Sequence, residues 1–282
     1  MKLMTLLKLL APPLVVSLIK KLLHPKISKL RYSTYENASL ACQHHAYQNS
    51  DLVKVVVEKN LIYREKLKSN SVFDLASLRT LIALGISKNR GTIRNRLNVI
   101  DFGGGAGYHY TVANVALGLN SSISWCVVET TAMSKEAEKL SNRNLKFFDD
   151  IADAKNSIGE VDLVFTSSAL QYCPDPIYFL RKLVELNAPY FFITRTPFSL
   201  GQNLLITTQT SKLSDNGPGP LPEGYSNRTI TYPITYITKA MFEDVIGEKY
   251  DIQFKIEEDA GGFCLKGEAI IMDSYFCILK NN

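Results

Sequence analysis

The run Leu97-Asn98-Val99-Ile100-Asp101-Phe102-Gly103-Gly104-Gly105-Ala106-Gly107-Tyr108-His109-Tyr110 carries a short apolar stretch into an acid and then into four glycines within five residues. It reads as a strand that ends in Asp101 and turns through Gly103, Gly104, Gly105 and Gly107 into a helix. Glycine tolerates φ > 0 and has no side chain to block a ligand, so such a turn can bring backbone N–H groups close to a bound group at a helix N-terminus. That is the design of a nucleotide-like cofactor loop. The dinucleotide spacing G-x-G-x-x-G, counted from Gly103 and Gly105, would need a glycine where Tyr108 stands, so the register disfavours NAD. The spacing that fits is D-x-G-x-G-x-G, made by Asp101, Gly103, Gly105 and Gly107.

Outward from this loop the C-terminal side alternates helices and strands. A helix over Tyr108–Leu119, closed by Gly118 and Asn120, leads to a strand over Ser124–Val128 that ends at Glu129. An acid there, about 20 residues past the glycines, can accept both ribose hydroxyls of either a dinucleotide or another nucleoside cofactor. A third strand, Leu145–Phe148, precedes Asp149 and Asp150, either of which can cap a helix starting at Ile151. The fourth strand, Val161–Phe165, runs into Thr166, Ser167 and Ser168, then a turn, then Asp175-Pro176 as the cap and first turn of a helix to Leu186. Ligands of an open parallel sheet lie beyond the carboxyl ends of its strands, so Ser167 and Ser168 should face the same cofactor as the glycines. A fifth strand over Tyr190–Thr194 is followed by a long insertion, Arg195 to Tyr232, expected to be a folded substrate cap with a mobile Pro/Gly tip at Asn216 to Gly224. Thr238 can cap a helix over Lys239–Ile246, and Tyr250–Ile256 and Ser274–Leu279 are the closing strands.

On the N-terminal side, Tyr35 to Lys68 has helical periodicity, and a second helix is expected over Phe73–Leu84, stopping at Gly85. The expected organisation is a basic amphipathic arm at 1–34, a helical lead-in or lid at 35–96, and a cofactor domain at 97–282 carrying a cap insertion at 195–235. The arm holds Lys2, Lys8, Lys20, Lys21, Lys26, Lys29 and Arg31 and no acid; with a net charge of +5 for the whole chain, the remainder is slightly acidic. The body is therefore no nucleic-acid binder on charge grounds. Lys8 and the Pro12-Pro13 pair interrupt the arm well short of the 20 or so apolar residues that a span needs. It suits either peripheral association of residues 1–31 with an anionic membrane surface or packing on its own domain. Cys42, Cys126, Cys173, Cys264 and Cys277 are widely spaced and odd in number, which points to a reducing cytoplasm rather than a disulfide framework. His24, His44, His45 and His109 lack metal-ligand spacing, so no metal is expected.

The D-x-G-x-G-x-G run resembles the first motif of the class I S-adenosylmethionine-dependent methyltransferases, and Val161 to Pro176 looks like the fourth motif of their small-molecule enzymes. The resemblance covers about 97–282. It implies an α/β, Rossmann-like fold with a seven-stranded, mostly parallel sheet whose last strand is antiparallel, preceded here by a helical extension. It implies S-adenosylmethionine as cofactor, with Gly103, Gly104, Gly105 and Gly107 passing under its methionine and ribose part. Asp101 would sit near its amino-acid end or an ordering water, Glu129 at the ribose, and one of Asp149 and Asp150 at the adenine amino group. Gln171 and Tyr172 stand where the fourth motif often has a histidine, which puts a base at that turn in question. The other candidate bases are His109, Tyr172 and a cap acid such as Glu223; Arg195 is a candidate to hold an anionic acceptor. The whole chain, including Tyr35-Glu36-Asn37-Ala38, Arg195-Thr196-Pro197 and Thr207-Thr208-Gln209, is similar to a family assigned as methyltransferases of bacterial surface-polysaccharide gene clusters. That similarity implies O-methylation of a sugar or polysaccharide-linked acceptor. Two rivals stay open: a non-catalytic cofactor-binding protein of a membrane-associated assembly and, against the glycine register, an NAD-dependent oxidoreductase.

Overall fold

The computed structural model describes residues 26–42, 50–70, 72–89, 96–118, 123–258 and 262–281. Residues 1–25 of the basic arm and the His44-His45 pair lie outside them, as do 90–95 of the connector before the glycine loop.

The glycine stretch begins on β2 (Leu97–Phe102), in which Val99 and Ile100 are both fully buried, on opposite faces. A strand buried on both sides belongs in the middle of a parallel sheet. Around it stand β3 (Ile123–Val128), β4 (Leu145–Phe148), β5 (Leu163–Ser167), β6 (Tyr190–Ser199), β9 (Tyr250–Glu257) and β11 (Glu268–Leu279). Their order is β4-β3-β2-β5-β6-β11-β9. The pairs from β4 to β6 are parallel, and β11 is antiparallel to both β6 and β9. This is the seven-stranded order of the Rossmann-like methyltransferase fold. The strand order reverses beside β2, so the carboxyl ends of β2 and β5 flank the crevice in which such sheets bind ligands.

Helices cover both faces. α1 (Tyr35–Ala41), α2 (Ser50–Asn70) and α3 (Ser77–Asn89) precede the sheet; α4 (Tyr108–Leu117), α5 (Thr131–Ala137), α6 (Ile151–Ile158) and α7 (Pro176–Val184) alternate with its strands, and α8 (Lys239–Gly247) precedes β9. One core layer packs Leu52, Ala83, Tyr110 and Met133 from α2 to α5 against Trp125, Phe165 and Phe192. The opposite layer packs Ile151, Leu180 and Phe242 from α6 to α8 against Ile100, Phe191 and Ile193. Each fully buried phenylalanine contributes about 1.5–3 kcal/mol of apolar transfer. Helix starts follow their caps: Asp175 accepts from the Tyr178 amide ahead of Pro176, and Thr238 accepts from the Met241 amide.

Three features depart from the sequence expectations. First, α3 starts at Ser77, where Asp74 accepts the Ser77 amide at 2.9 Å, and runs through Gly85 to Asn89. Gly85 does not take the left-handed conformation that would have ended the helix. Second, β6 runs past Thr194 to Ser199, because β11 pairs with it on both sides of Arg195. Third, the insertion is built of strands: β7 (Leu205–Lys212) and β8 (Thr229–Thr238) form an antiparallel pair, edged by β1 (Lys26–Ile27). This cap sheet joins the main sheet by a two-residue parallel splice, Phe198↔Ile237 and Ser199↔Thr238. A further short strand, β10 (Phe263–Leu265), turns back onto β11 through Lys266 and Gly267, both with positive φ as a two-residue hairpin turn requires.

Candidate active site

Gly103, Gly105 and Gly107 adopt φ of 73°, 58° and 83°. A Cβ on Gly103 would also lie 2.1 Å from Ala169 Cβ, and one on Gly104 2.4 Å from Asp101 Oδ2. The loop is therefore packed directly against the turn after β5 on one side and over the Asp101 carboxylate on the other. Asp101 is fully buried. A buried carboxylate needs donors, and it has them: the Trp125 indole Nε1–H at 3.0 Å and His109 Nδ1 at 3.0 Å. His109, on the first turn of α4, packs its ring on Phe165 with centroids 4.6 Å apart.

Glu129 follows β3. Its Oε1 accepts the Gly105 amide at 3.0 Å and its Oε2 the Thr130 amide at 3.0 Å. Burial pushes its carboxyl pKa up, and the two amides partly offset that. The neighbouring aspartates divide their duties. Asp150 caps α6, accepting from the amides of Ala152 at 2.7 Å and Asp153 at 3.1 Å. Asp149 is exposed and, among the described residues, takes only the Thr131 hydroxyl, at 2.8 Å on Oδ2.

A cavity of about 650 Å³ opens beyond the carboxyl ends of β2, β3, β4 and β5 and extends between α6 and α7. Its wall includes Gly103, Glu129, Asp149, Asp150, Ser168 and Tyr172 of the residues singled out from sequence. The size is that of a small-molecule or cofactor site. Asp101, Gly104, Gly105, Gly107, His109, Ser167 and Arg195 are not on this wall. Gly105 is covered instead by α2, with Val56 Cγ1 3.7 Å from the position of its Cβ. Phe102, Ala169, Cys173 and Phe179 are among the apolar lining and carry no chemical signature by which sequence could have found them.

The cap lies over the same edge. Tyr172 meets Tyr232 edge-on, with centroids 5.3 Å apart, and its carbonyl accepts the Tyr35 hydroxyl at 2.8 Å. Lys59 of α2, fully buried, donates to the carbonyls of Ser214 at 2.8 Å and Asn216 at 2.6 Å, tying the loop beyond β7 to the helix that covers Gly105. Desolvation lowers its pKa to about 8. Glu223 is exposed in the tip.

No protein-family model matches the chain, and no curated protein matches it. Among solved structures it is similar to an S-adenosylmethionine-dependent methyltransferase from Clostridium acetobutylicum, at 12% identity over 78% of this chain and 97% of that one, with a TM-score of 0.44. A methyltransferase of the same cofactor dependence from Aquifex aeolicus aligns at 15% identity over 77% and 98%, with a TM-score of 0.39. A glycopeptide N-methyltransferase solved with S-adenosylhomocysteine aligns at 11% over 70% and 87%, with a TM-score of 0.38. These likenesses are remote, and the fold stands on the strand order itself.

Proposed function

We propose that this chain transfers a methyl group from S-adenosylmethionine to an oxygen, or less readily a nitrogen, of a sugar or sugar-linked acceptor. The observation that carries the reading is the convergence of the left-handed glycine loop, Glu129 and Asp149 on one cavity-bearing sheet edge. The residues fit the cofactor. In this reading Glu129 would accept the ribose hydroxyls, and Asp149, spared capping duty by Asp150, would take the adenine amino group. Phe102 and Ala169 offer apolar faces to the ring. When bound, the cofactor supplies a methyl group already activated on a sulfonium, so the chain's task is alignment and proton removal. Of the candidate bases, His109 lies off the cavity wall but has the supporting partner: with Nδ1–H donated to Asp101, Nε2 carries the lone pair that would accept a hydroxyl proton. Tyr172 borders the cavity as part of the acceptor wall.

The saccharide acceptor rests on the similarity to the polysaccharide-cluster family and on the separate cap. Peripheral binding of residues 1–31 to anionic membrane at the cytoplasmic face belongs to the same reading. Among the described residues no helix is long and apolar enough to cross a membrane. Liposome co-sedimentation tests the arm: full-length protein should sediment with anionic vesicles, and a chain starting near Tyr35 should not.

Calorimetry with S-adenosylhomocysteine and NADH tests the cofactor. The former should bind and the latter should not, and Glu129→Ala should bind at least about tenfold more weakly. Equal affinity in wild type and Glu129→Ala would mean that the site lies elsewhere. Transfer of labelled methyl to a saccharide panel separates an enzyme from a binding protein. His109→Asn should lower that transfer by about 10²–10⁴-fold while leaving S-adenosylhomocysteine affinity intact.

A further inference from the structure

Two neighbouring strands carry non-glycine residues in the left-handed region at the edge where β5 stops: Ser168, just after β5, with φ 55°, and Arg195, where β6 runs on, with φ 54°. They are joined through Thr194, whose carbonyl accepts the Ser168 amide at 3.0 Å. The other non-glycine residues of this kind among those described, Asn187 and Lys266, lie just past a helix end and in a hairpin turn, where positive φ is ordinary. Such a conformation persists where the surroundings over-determine it, and it clusters at ligand sites.

At Arg195 the surroundings are a buried polar network. Glu258 accepts Arg79 Nε at 2.8 Å and the Thr194 hydroxyl at 2.8 Å, and it also bonds the Ser274 hydroxyl. Ser274 Oγ lies 2.8 Å from Thr194 Oγ1 and accepts the Arg195 amide at 3.4 Å. The network thus sits at the irregularity that β11 shows between Asp273 and Tyr275 and holds the Arg195 amide through Ser274. The Arg195 side chain is exposed, with no hydrogen-bond or ion-pair partner among the described residues. The other cations of this corner are neutralised, Arg79 by Glu258 and Lys239 by Asp273 at 2.8 Å. One unpartnered guanidinium is left, on the residue after Thr194, whose carbonyl holds the amide of Ser168 on the cavity wall.

We infer that Arg195 is the specificity-determining residue of the acceptor site and binds an anionic group, a carboxylate or a phosphate, on the molecule to be methylated, with Glu258 as its positioning residue. Guanidinium geometry suits bidentate recognition of either group. The assignment of this anion site to the acceptor rests on the methyl-transfer reading.

The test is the binding of glucuronate, glucose 6-phosphate and glucose to the full chain, with and without S-adenosylhomocysteine. At least one charged probe should bind about tenfold or more tightly than glucose. Arg195→Gln should bring it down to the level of glucose, Arg195→Lys should recover part of the difference, and thermal stability and S-adenosylhomocysteine affinity should not move. Glu258→Gln should weaken the charged probe more than it weakens glucose. Charge-blind binding, no binding of either charged probe at millimolar concentration, or equal binding by wild type and Arg195→Gln would each overturn the inference. If the charged probe depends on Arg195 but S-adenosylhomocysteine does not bind, the anion site stands and the methyl-transfer reading falls.

Discussion

Asp149 and Asp150 are adjacent and chemically identical, yet their substitutions should separate. Asp150→Ala removes two capping bonds from α6 and should destabilise the fold by about 1 kcal/mol with little change in cofactor affinity. Asp149→Ala should leave thermal stability unchanged and weaken S-adenosylhomocysteine severalfold; chemical denaturation and calorimetry on both variants check the split. Sequence could identify the pair but not the division, because capping depends on which carboxylate meets the α6 amides, and that is settled by backbone torsions. The glycines were more legible. Gly105 and Gly107 answer to φ, which a motif encodes, whereas Gly103 also answers to a packing distance from Ala169, 66 residues away, which no local pattern contains. The Asp101–His109 pair is intermediate: both residues stood out, but their contact needed the first turn of α4 to face β2.

At the scale of elements, the strands between 97 and 190 and the helices α4, α6 and α7 were legible from buried apolar runs alternating with helical periodicity, whereas α5 went unread between Glu129 and the next strand. The cap was not. Its strand Thr-Ile-Thr-Tyr-Pro-Ile-Thr-Tyr-Ile-Thr sets the buried Ile230, Tyr232, Ile234 and Tyr236 at alternate positions, a period-two signal in residue type that a central proline and the preceding Pro/Gly tip obscured. Proline is tolerated at 233 because the cap sheet is small and joins the main sheet by only two residue pairs. The tie between cap and α2 was likewise invisible, since a lone lysine in a helix reads as a solvated residue. Lys59→Met should leave two loop carbonyls without their donor and cost about 1–3 kcal/mol. Its pH signature has a definite sign. The folded pKa of about 8 lies below the ordinary 10.5, so between those values the unfolded chain holds a proton the folded chain has shed, and stability rises with pH. The wild-type advantage over Lys59→Met in urea unfolding should therefore grow by about 2 kcal/mol between pH 7 and 10.

For the molecule as a whole, the lead-in helices are stapled to the far end of the sheet by Arg79 and Glu258, 179 residues apart in sequence. Desolvation would raise the Glu258 carboxyl, but Arg79, Ser274 and Thr194 outweigh it and hold its pKa at about 2, against an ordinary 4.5. The stability this adds is present above pH 4.5 and is lost as pH falls through 2. Glu258→Gln should cost about 3 kcal/mol at pH 7, from the unpaired Arg79, and should flatten the acid limb of the stability curve. Equal acid limbs would show that the staple contributes nothing to cohesion. Global unfolding can be followed without a label, because Trp125 is the sole tryptophan and is 1% exposed. Its indole donates to the carboxylate beneath Gly104, so the natural fluorophore reports from under the glycine loop itself. A shift in its emission on titrating small molecules would turn the protein into its own screening assay.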